Sequence, residues 1–306
     1  MAFTSTVPEH FPSLYQDEWR LELQQLTSRL QGLVPTYAVQ GDSRRFNKLG
    51  KVESTPMTGR FVDSAPQDVT TEMRSLYVDF RTVENFVSKV DSIRLGEIDS
   101  PHNAIIKSHM AAAGRDRDAA IIAMLGGSAY EGKNGTTEVV FDSANAIAKN
   151  YNYDGTTTDE GLTYDKIVNA RARLGSKNVA GQNVEGSSPL GMVITHDEVE
   201  DLLHDDKFIN RDYRAKLEEA QSGSIVDAFG FTIIAVDATL LPVASATRGC
   251  YAFAKDCVAF GYAAEPETFV DVLPTKRHDT QIRSEWAWGG TRLDDEGVIQ
   301  INVDRA

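Results

Sequence analysis

The stretch PHNAIIKSHMAAAGRDRDAAIIAMLGG, residues 101–127, predicts one long helix. Asp99 or Ser100 can cap its start, and proline suits the first helical position, where an amide donor is not needed. Apolar residues mark one face from Ile105 to Leu125, and the two final glycines end the helix. A helix over 101–125 is a rod of roughly 37 Å. Its other face holds Arg-Asp-Arg-Asp at 115–118, charges suited to water or to a neighbouring subunit.

Two different segments precede this rod. The first predicts an amphipathic helix that opens at Pro12 and Ser13 and ends near Gly32, with an apolar stripe of Trp19, Leu23, Leu26 and Leu30. From Thr36 to Arg81 the helical periodicity is lost, and short extended pieces are predicted at 48–53, 60–63 and 74–80. The second segment has too few large apolar residues to form a core of its own. It therefore predicts a long two-stranded arm that lies on another surface.

The rest of the chain alternates between strand and helix patterns. Residues 140–264 predict a compact α+β domain, with helices at 164–174 and 196–204 and strands at 192–195, 231–236 and 249–260. The tail from Thr268 to Val303 alternates in the manner of strands, with turns predicted at Gly289–Gly290 and Asp294–Gly297.

Composition limits the possible functions. The 306 residues contain 31 Lys plus Arg against 45 Asp plus Glu, a formal net charge of −14, which disfavours tight binding of duplex nucleic acid. Two cysteines, Cys250 and Cys257, supply neither a disulfide framework nor a four-ligand zinc site. No apolar run is long enough for a membrane span, and no signal peptide is expected.

The motifs that could indicate phosphate or metal binding are incomplete or have the wrong spacing. Residues 127–134 fall one residue short of a phosphate-binding loop, because Asn134 stands where Ser or Thr is needed and a helix precedes the loop. His196 and His204 are about 12 Å apart along a helix and cannot share a metal ion. Instead, Asp197 and Glu198 are expected to favour the positive N-terminal end of that helix. We expect no catalytic, metal or cofactor site.

Seven stretches resemble the major capsid proteins of tailed bacteriophages, in the subgroup common among short-tailed phages. They are ELQQLTSRL at 22–30, GRDRDAAIIAMLG at 114–126, LTYDKIVNA at 162–170, SGSIVDAFGFTII at 222–234, DTQIR at 279–283, WGGTR at 288–292 and GVIQI at 297–301. The order of parts is also similar: terminal helix, arm without a core, long helix, α+β domain and returning strands.

This resemblance implies an α+β Hong Kong 97-like capsid fold. It implies an N-terminal arm with a helix at 1–35 and an extended β-hairpin loop at 36–82. The peripheral domain would comprise 83–139 and 265–306 with the spine helix 101–125, and the axial domain 140–264.

The resemblance further implies a structural protein rather than an enzyme. Hexamers and pentamers would form an icosahedral head, the virion capsid, enclosing double-stranded DNA contacted weakly and without sequence specificity. Assembly would take place in the host bacterial cytoplasm, without a membrane, with a separate scaffolding protein, a portal and a decoration protein as partners. Candidates for contacts between subunits are Trp19, Leu23, Leu26, Arg60, Asp63, Arg74, Arg81, Arg115 and Arg117.

Two alternatives stay open at this stage. The same fold could form a nanocompartment shell around an enzyme cargo. A nucleotide-binding enzyme using the loop at 127–133 is the other alternative, and Lys133 would then be its main functional residue.

Overall fold

The computed structural model describes residues 24–50, 52, 54–56, 59–60, 66–88, 102–177, 189–205, 227–276 and 278–305. The predicted terminal helix up to Leu23 lies outside the described residues, and so do the candidate contact residues Trp19, Leu23 and Asp63.

The described chain contains both helices and strands. The helices are α1 (His102–Gly126), α2 (Tyr164–Ser176) and α3 (His196–His204). The first seven strands are β1 (Thr36–Ala38), β2 (Ser43–Leu49), β3 (Thr71–Tyr77), β4 (Asp79–Val87), β5 (Ala129–Glu131), β6 (Thr137–Val139) and β7 (Ala146–Ile147). The others are β8 (Leu190–Thr195), β9 (Asp227–Ala228), β10 (Phe231–Val236), β11 (Thr247–Ala254), β12 (Val258–Leu273), β13 (Asp279–Arg292) and β14 (Val298–Asp304). This mixture confirms the predicted α+β class.

The described strands form three sheets. We call them the long sheet (β1-β12-β13-β4), the six-stranded sheet (β7-β14-β11-β8-β10-β9) and the hairpin sheet (β2-β3-β5-β6). Helix α1 packs on the long sheet, where Ile121 and Leu125 join the buried Trp286 and Trp288. Helices α2 and α3 cover the six-stranded sheet, and Ile167 and Leu202 lie in their shared core.

The terminal segment differs from the prediction. Residues 24–30 are not helical, and a short 3-10 helix covers Gln31–Leu33. Leu30 is buried as the apolar stripe requires, but Leu26 is 57% exposed. The physical reason is that the backbone amides of Arg29 and Leu30 donate to Asp118 on α1, rather than to carbonyl groups within a terminal helix.

The tail also differs from the prediction at its glycines. Gly289 and Gly290 lie inside β13 and form no turn, whereas the predicted turn at Asp294–Gly297 is confirmed by a 3-10 helix at Asp295–Gly297. A Cβ atom on Gly289 would lie 1.9 Å from the carbonyl oxygen of Tyr77. These glycines therefore permit a close approach of two backbones.

The strands divide the chain differently from the predicted boundaries. The strand expected at 249–260 is two strands, β11 and β12, separated by a 3-10 helix at Lys255–Cys257. Strand β14 pairs with β11, so the end of the chain belongs to the six-stranded sheet rather than to the sheet of β12 and β13. Strand β4 likewise continues across the expected boundary at 82.

Candidate functional site

The β2–β3 hairpin carries exposed apolar side chains that nothing in the described chain covers. Its strands pair from Ser43 opposite Tyr77 to Leu49 opposite Thr71. Two apolar side chains on its strands, Leu49 and Met73, and two in the loop between them, Val52 and Val69, are 36–73% exposed. A group of exposed apolar side chains on one projecting element is typical of a surface that contacts another protein.

The paired strands of this hairpin are held to the turn between β13 and β14 by ion pairs. The buried Arg74 of β3 donates from Nη2 to Asp295 Oδ2 at 2.6 Å. Lys48 of β2 lies 3.3 Å from Asp294, in the same turn between β13 and β14. Arg74 was predicted as a contact between subunits, but its guanidinium is 6% exposed and serves this intrachain contact. The hairpin is thus fixed at its base, while its apolar side chains stay exposed.

Asp118 of α1 holds the terminal segment. Its carboxylate accepts from the backbone nitrogens of Arg29 and Leu30 at 3.0 and 3.1 Å, and from the Ser28 hydroxyl. Gly114, one turn earlier, permits close approach, because a Cβ there would lie 3.1 Å from the Thr27 backbone. The fully buried carboxylate therefore ties residues 24–30 across the helix.

Asp116 of α1 binds side chains of the long sheet. The indole nitrogens of Trp286 and Trp288 donate to its Oδ2 at 2.9 and 3.0 Å, and Arg81 donates to its Oδ1. The guanidinium of Arg117 lies 4.7 Å from the centre of the Trp288 ring and donates to Glu265.

Arg115 completes the charged face by donating to Gln24 at 2.6 Å. The charged face of α1 was expected to meet water or a neighbouring subunit. Instead, each of the four residues 115–118 has a partner in its own chain.

Arg292 of β13 binds the C-terminal end of α1. Its Nη1 donates to the carbonyl groups of Met124, Leu125 and Gly127, and its Nε donates to Asp295 at 2.9 Å. A cation is stabilised at this end by the partial negative charge of the terminal carbonyls. Asp295 thus joins Arg292 to Arg74, and so links the spine helix to the hairpin base.

A charged cluster lies at one end of the six-stranded sheet. The fully buried Glu198 of α3 accepts from Thr195, Arg248 and Arg305, each at 3.0 Å or less. Burial alone would raise the pKa of Glu198, but hydrogen bonds from Thr195 and Arg248 and the charge of Arg305 lower it overall. Thr195 and Glu198 form a capping box, so the expected role of Glu198 at the N-terminal end of α3 is confirmed.

Lys166 is a second buried charge. Its ammonium donates to the carbonyl groups of Lys149, Glu160 and Gly161 at 2.7–2.8 Å. Burial lowers its pKa to about 8. The contacts tie the loop before α2 to the helix, which is a structural role.

The candidate catalytic motifs do not form a reactive site. Residues 127–134 lie at the β5–β6 hairpin, and Lys133 is exposed at its turn. His196 and His204 are exposed as well. Within the described ranges, no group of three or more His, Cys, Asp or Glu side chains could hold a metal ion.

The buried side chains that could react are also constrained. Burial lowers the pKa of His109, whose ring nitrogens contact Ser284 and Asn85. Burial raises the pKa of Cys250, and it raises the pKa of Cys257 to about 12, so both thiols stay protonated at neutral pH. No helix in the described part of the chain is both long and apolar enough to cross a membrane.

Sequence reasoning missed several residues that organise the structure. Asp118, Asp116 and Arg292 bind partners far along the chain, and Lys166 binds carbonyl groups of the loop before its helix. A charge on an otherwise apolar helix face could have indicated the helical residues, but not Arg292 of β13. Of the predicted contact residues that are described, Leu26 and Arg60 are exposed and stay predictions. Arg81, Arg115 and Arg117 already have the intrachain partners given above.

Comparisons with known proteins agree with one another. A family model described as phage capsid protein matches residues 7–305. The solved capsid asymmetric unit of cyanophage Pam1 is similar over 100% of both chains, with a TM-score of 0.74 and 16% identity. The capsid of Ralstonia phage GP4 has a TM-score of 0.67 and 9% identity, over 100% of this chain and 98% of that one.

A third solved structure, the acidic stable capsid of Helicobacter pylori bacteriophage KHP30, has a TM-score of 0.68 and 10% identity over 100% of this chain and 99% of that one. A sequence comparison with curated proteins gave no match.

Proposed function

Because this chain belongs to the phage capsid protein family, its function is structural, and we propose that it assembles as hexamers and pentamers into a closed icosahedral head. It is a major capsid protein, located in the virion capsid. The Hong Kong 97-like fold fits this function. The observation that carries the mode of assembly is the hairpin: its base is fixed by Arg74, and its apolar side chains are exposed.

The hairpin would lie across an adjacent subunit in the shell. Burying its apolar side chains against a neighbour removes them from water at about 25 cal/mol per Å². Arg60, exposed in the loop between β2 and β3, is the predicted contact residue that belongs to this hairpin, and the exposed Leu26 of the terminal segment is proposed for a separate contact. Several such overlaps around one subunit would exceed the area of an ordinary two-partner interface.

The finer parts of the proposal concern the partners. We infer that double-stranded DNA is enclosed and contacted weakly, because a net charge of −14 disfavours tight binding of phosphate. A scaffolding protein, a portal and a decoration protein are proposed partners, and the host cytoplasm is the proposed place of assembly.

The alternatives have less support. The exposed Lys133 sits at a hairpin turn after a helix, whereas a phosphate-binding loop precedes one, which argues against a nucleotide-binding enzyme. We therefore propose that the protein is not an enzyme. The family match also favours a virion over a nanocompartment.

Negative-stain electron microscopy and size measurement test the proposal. The purified chain would be expressed alone and together with candidate scaffolding proteins from the same genome. Closed shells or flat hexamer sheets of megadalton size are the expected result. A stable monomer or small oligomer under both conditions would contradict the shell function.

A further inference from the structure

Among the outer strands of the three sheets, β2 and β4 are the longest, with seven and nine residues, and each has one edge without a strand neighbour among the described residues. Strand β2 is an outer strand of the hairpin sheet, and β4 is an outer strand of the long sheet. An unpaired edge presents a row of backbone N–H and C=O groups, and another strand can bind to that row.

The two long edges of the long sheet are not equivalent. Beyond its pairing with β1, strand β12 contains Pro266 and an irregular register between Tyr262 and Glu267, which are features that prevent strand addition. Strand β4 has nine residues in regular register with β13 and no proline. Its Phe80 and Phe86 are 72% and 54% exposed. The β4 edge is therefore the one suited to pairing.

The two unpaired edges cannot meet within one chain. Strand β2 is in register with β3, and its first residue Ser43 lies opposite Tyr77. Only Val78 separates β3 from β4. The first residue of β2 therefore lies beside the start of β4, and β2 extends away from β4 along β3. Pairing between these edges therefore requires a second copy of the chain.

We propose that β2 of one copy pairs antiparallel with β4 of a second copy, with Arg45 opposite Glu84 and Leu49 opposite Phe80. This inference rests on the proposed shell function and names the partner surface of the hairpin. In this register Leu49 and Phe80, 73% and 72% exposed, cover each other. Opposite charges and apolar pairs directly across two strands are both stabilising.

The charges on both faces are compatible with this register. Arg45 has no ion pair within the described residues, and the carboxylate of Glu84 accepts from the neutral Gln281 at 3.1 Å. On the opposite face the register places Lys48 directly opposite Arg81, and the repulsion between these like charges is reduced by the acidic partner that each has in its own chain. Each of these cations is already paired with an acidic residue of its own chain, Lys48 with Asp294 and Arg81 with Asp116.

The pairing is heterologous, because each copy uses a different strand toward each of its two neighbours. Heterologous contacts form closed rings when the rotation between copies allows it. A ring of five or six copies would then be joined by one repeated strand pairing.

Disulfide cross-linking tests the register directly. Both natural cysteines are buried, at 0% and 8% exposure, and Asn47 and Thr82 are exposed and opposite each other in the proposed register. Directly opposed residues in antiparallel strands have Cα atoms about 4.5–5.5 Å apart, which suits a disulfide. We expect oxidised shells of the double variant N47C/T82C to give a ladder of linked chains, up to the hexamer, on non-reducing gels.

The controls separate the competing contacts. Shells of N47C alone and of N47C/V270C, with the second cysteine on the protected β12, should stay monomeric on the gel. Dimers from T82C alone would assign the edge to a two-fold contact between two β4 strands and overturn the proposal. A monomeric N47C/T82C band from intact shells would also overturn it. Failure of the wild-type chain to form shells would instead contradict the proposed function.

A charge exchange gives an independent measurement if the cysteine variants assemble poorly. We expect R45E and E84R each to raise the protein concentration needed for assembly by about threefold to tenfold, because like charges would then face each other. The double variant R45E/E84R should return to within about twofold of wild type. A loss in R45E/E84R equal to the sum of the two single losses would contradict the pairing.

Discussion

At the scale of single residues, carboxylates on helices hold distant segments in place. Asp118 accepts two backbone amides from residues 29 and 30 and a hydroxyl from Ser28. A carboxylate has the acceptor capacity for all of them, whereas an amide side chain replaces one acceptor oxygen by a donor. Asp118 therefore stabilises the terminal segment in addition to the apolar contact of the buried Leu30.

We predict that Asp118→Asn lowers the free energy of unfolding of the unassembled subunit by about 2 kcal/mol, because hydrogen bonds to a charged acceptor are lost. Urea denaturation measures this change. Asp68→Asn is the matched control, since Asp68 is exposed and its substitution should change stability by less than about 0.5 kcal/mol. Equal stability of D118N and wild type would show that the amides find other acceptors.

Glu198 gives a prediction about pH. Its folded pKa lies below the ordinary value of 4.5, so its charge contributes stability that is fully present above that value and is lost as pH falls through the lower folded pKa. We expect Glu198→Gln to be less stable than wild type by about 3 kcal/mol at pH 7, because Arg248 and Arg305 lose a buried partner.

The difference between the two proteins should shrink as the pH falls below about 4.5 and through the lower folded pKa, because the wild-type carboxyl group then also becomes neutral. Urea unfolding of wild type and E198Q between pH 7 and pH 3 measures this difference. Two other carboxylates also have lowered pKa values: Asp197, through a hydrogen bond from Arg248, and Asp237, through a hydrogen bond from Thr239. Both are present in wild type and in E198Q, so the difference between the two proteins reduces the contribution of these carboxylates to the pH dependence. A constant difference across the whole range would contradict the assignment.

At the scale of helices and strands, the sequence predicts those elements whose bounds are marked by a local pattern of residues. The bounds of α1 differ from the prediction by one residue at each end, because proline, a continuous apolar face and a glycine pair mark them. Helix α3 begins at His196, as predicted, and the capping box of Thr195 and Glu198 marks that start.

Predictions failed where a distant contact overrides the local pattern. The apolar spacing at Leu26 and Leu30 indicates a helix, but Asp118, 88 residues beyond Leu30, binds the backbone amides. The glycine pair at 289–290 indicates a turn, but Tyr77 lies against the strand there. Neither partner can be identified from the local sequence, and the charged face of α1 was misassigned to solvent or a neighbour for the same reason.

The glycine contact predicts the effect of a single methyl group. Gly289→Ala would place a Cβ 1.9 Å from the Tyr77 carbonyl oxygen, which forces β3 and β13 apart. We expect a loss of about 3 kcal/mol in the free energy of unfolding, measured by urea denaturation. Gly32→Ala is the control, because nothing lies within 4 Å of its Cβ position. Similar stability of the two variants would mean that the strands can separate without cost.

At the scale of the whole molecule, stability and assembly depend on different parts of the chain. The two larger cores lie between α1 and the long sheet and between α2, α3 and the six-stranded sheet. The smallest core, with Val39, Leu76 and Val78, holds only the base of the hairpin. Beyond Leu49 and before Thr71, the described residues contribute to none of these cores.

This separation predicts that the hairpin tip can be removed without unfolding the subunit. Replacing residues 50–70 by Asn-Gly joins Leu49 to Thr71, which already pair, through a two-residue turn that suits antiparallel strands. We expect the free energy of unfolding to change by less than about 1 kcal/mol, since no described core residue is removed. Closed shells should be absent by electron microscopy, because each subunit loses contact area with its neighbour. Normal shells from this variant would place the main assembly contact elsewhere, whereas an unfolded subunit would show that the tip supports its own chain.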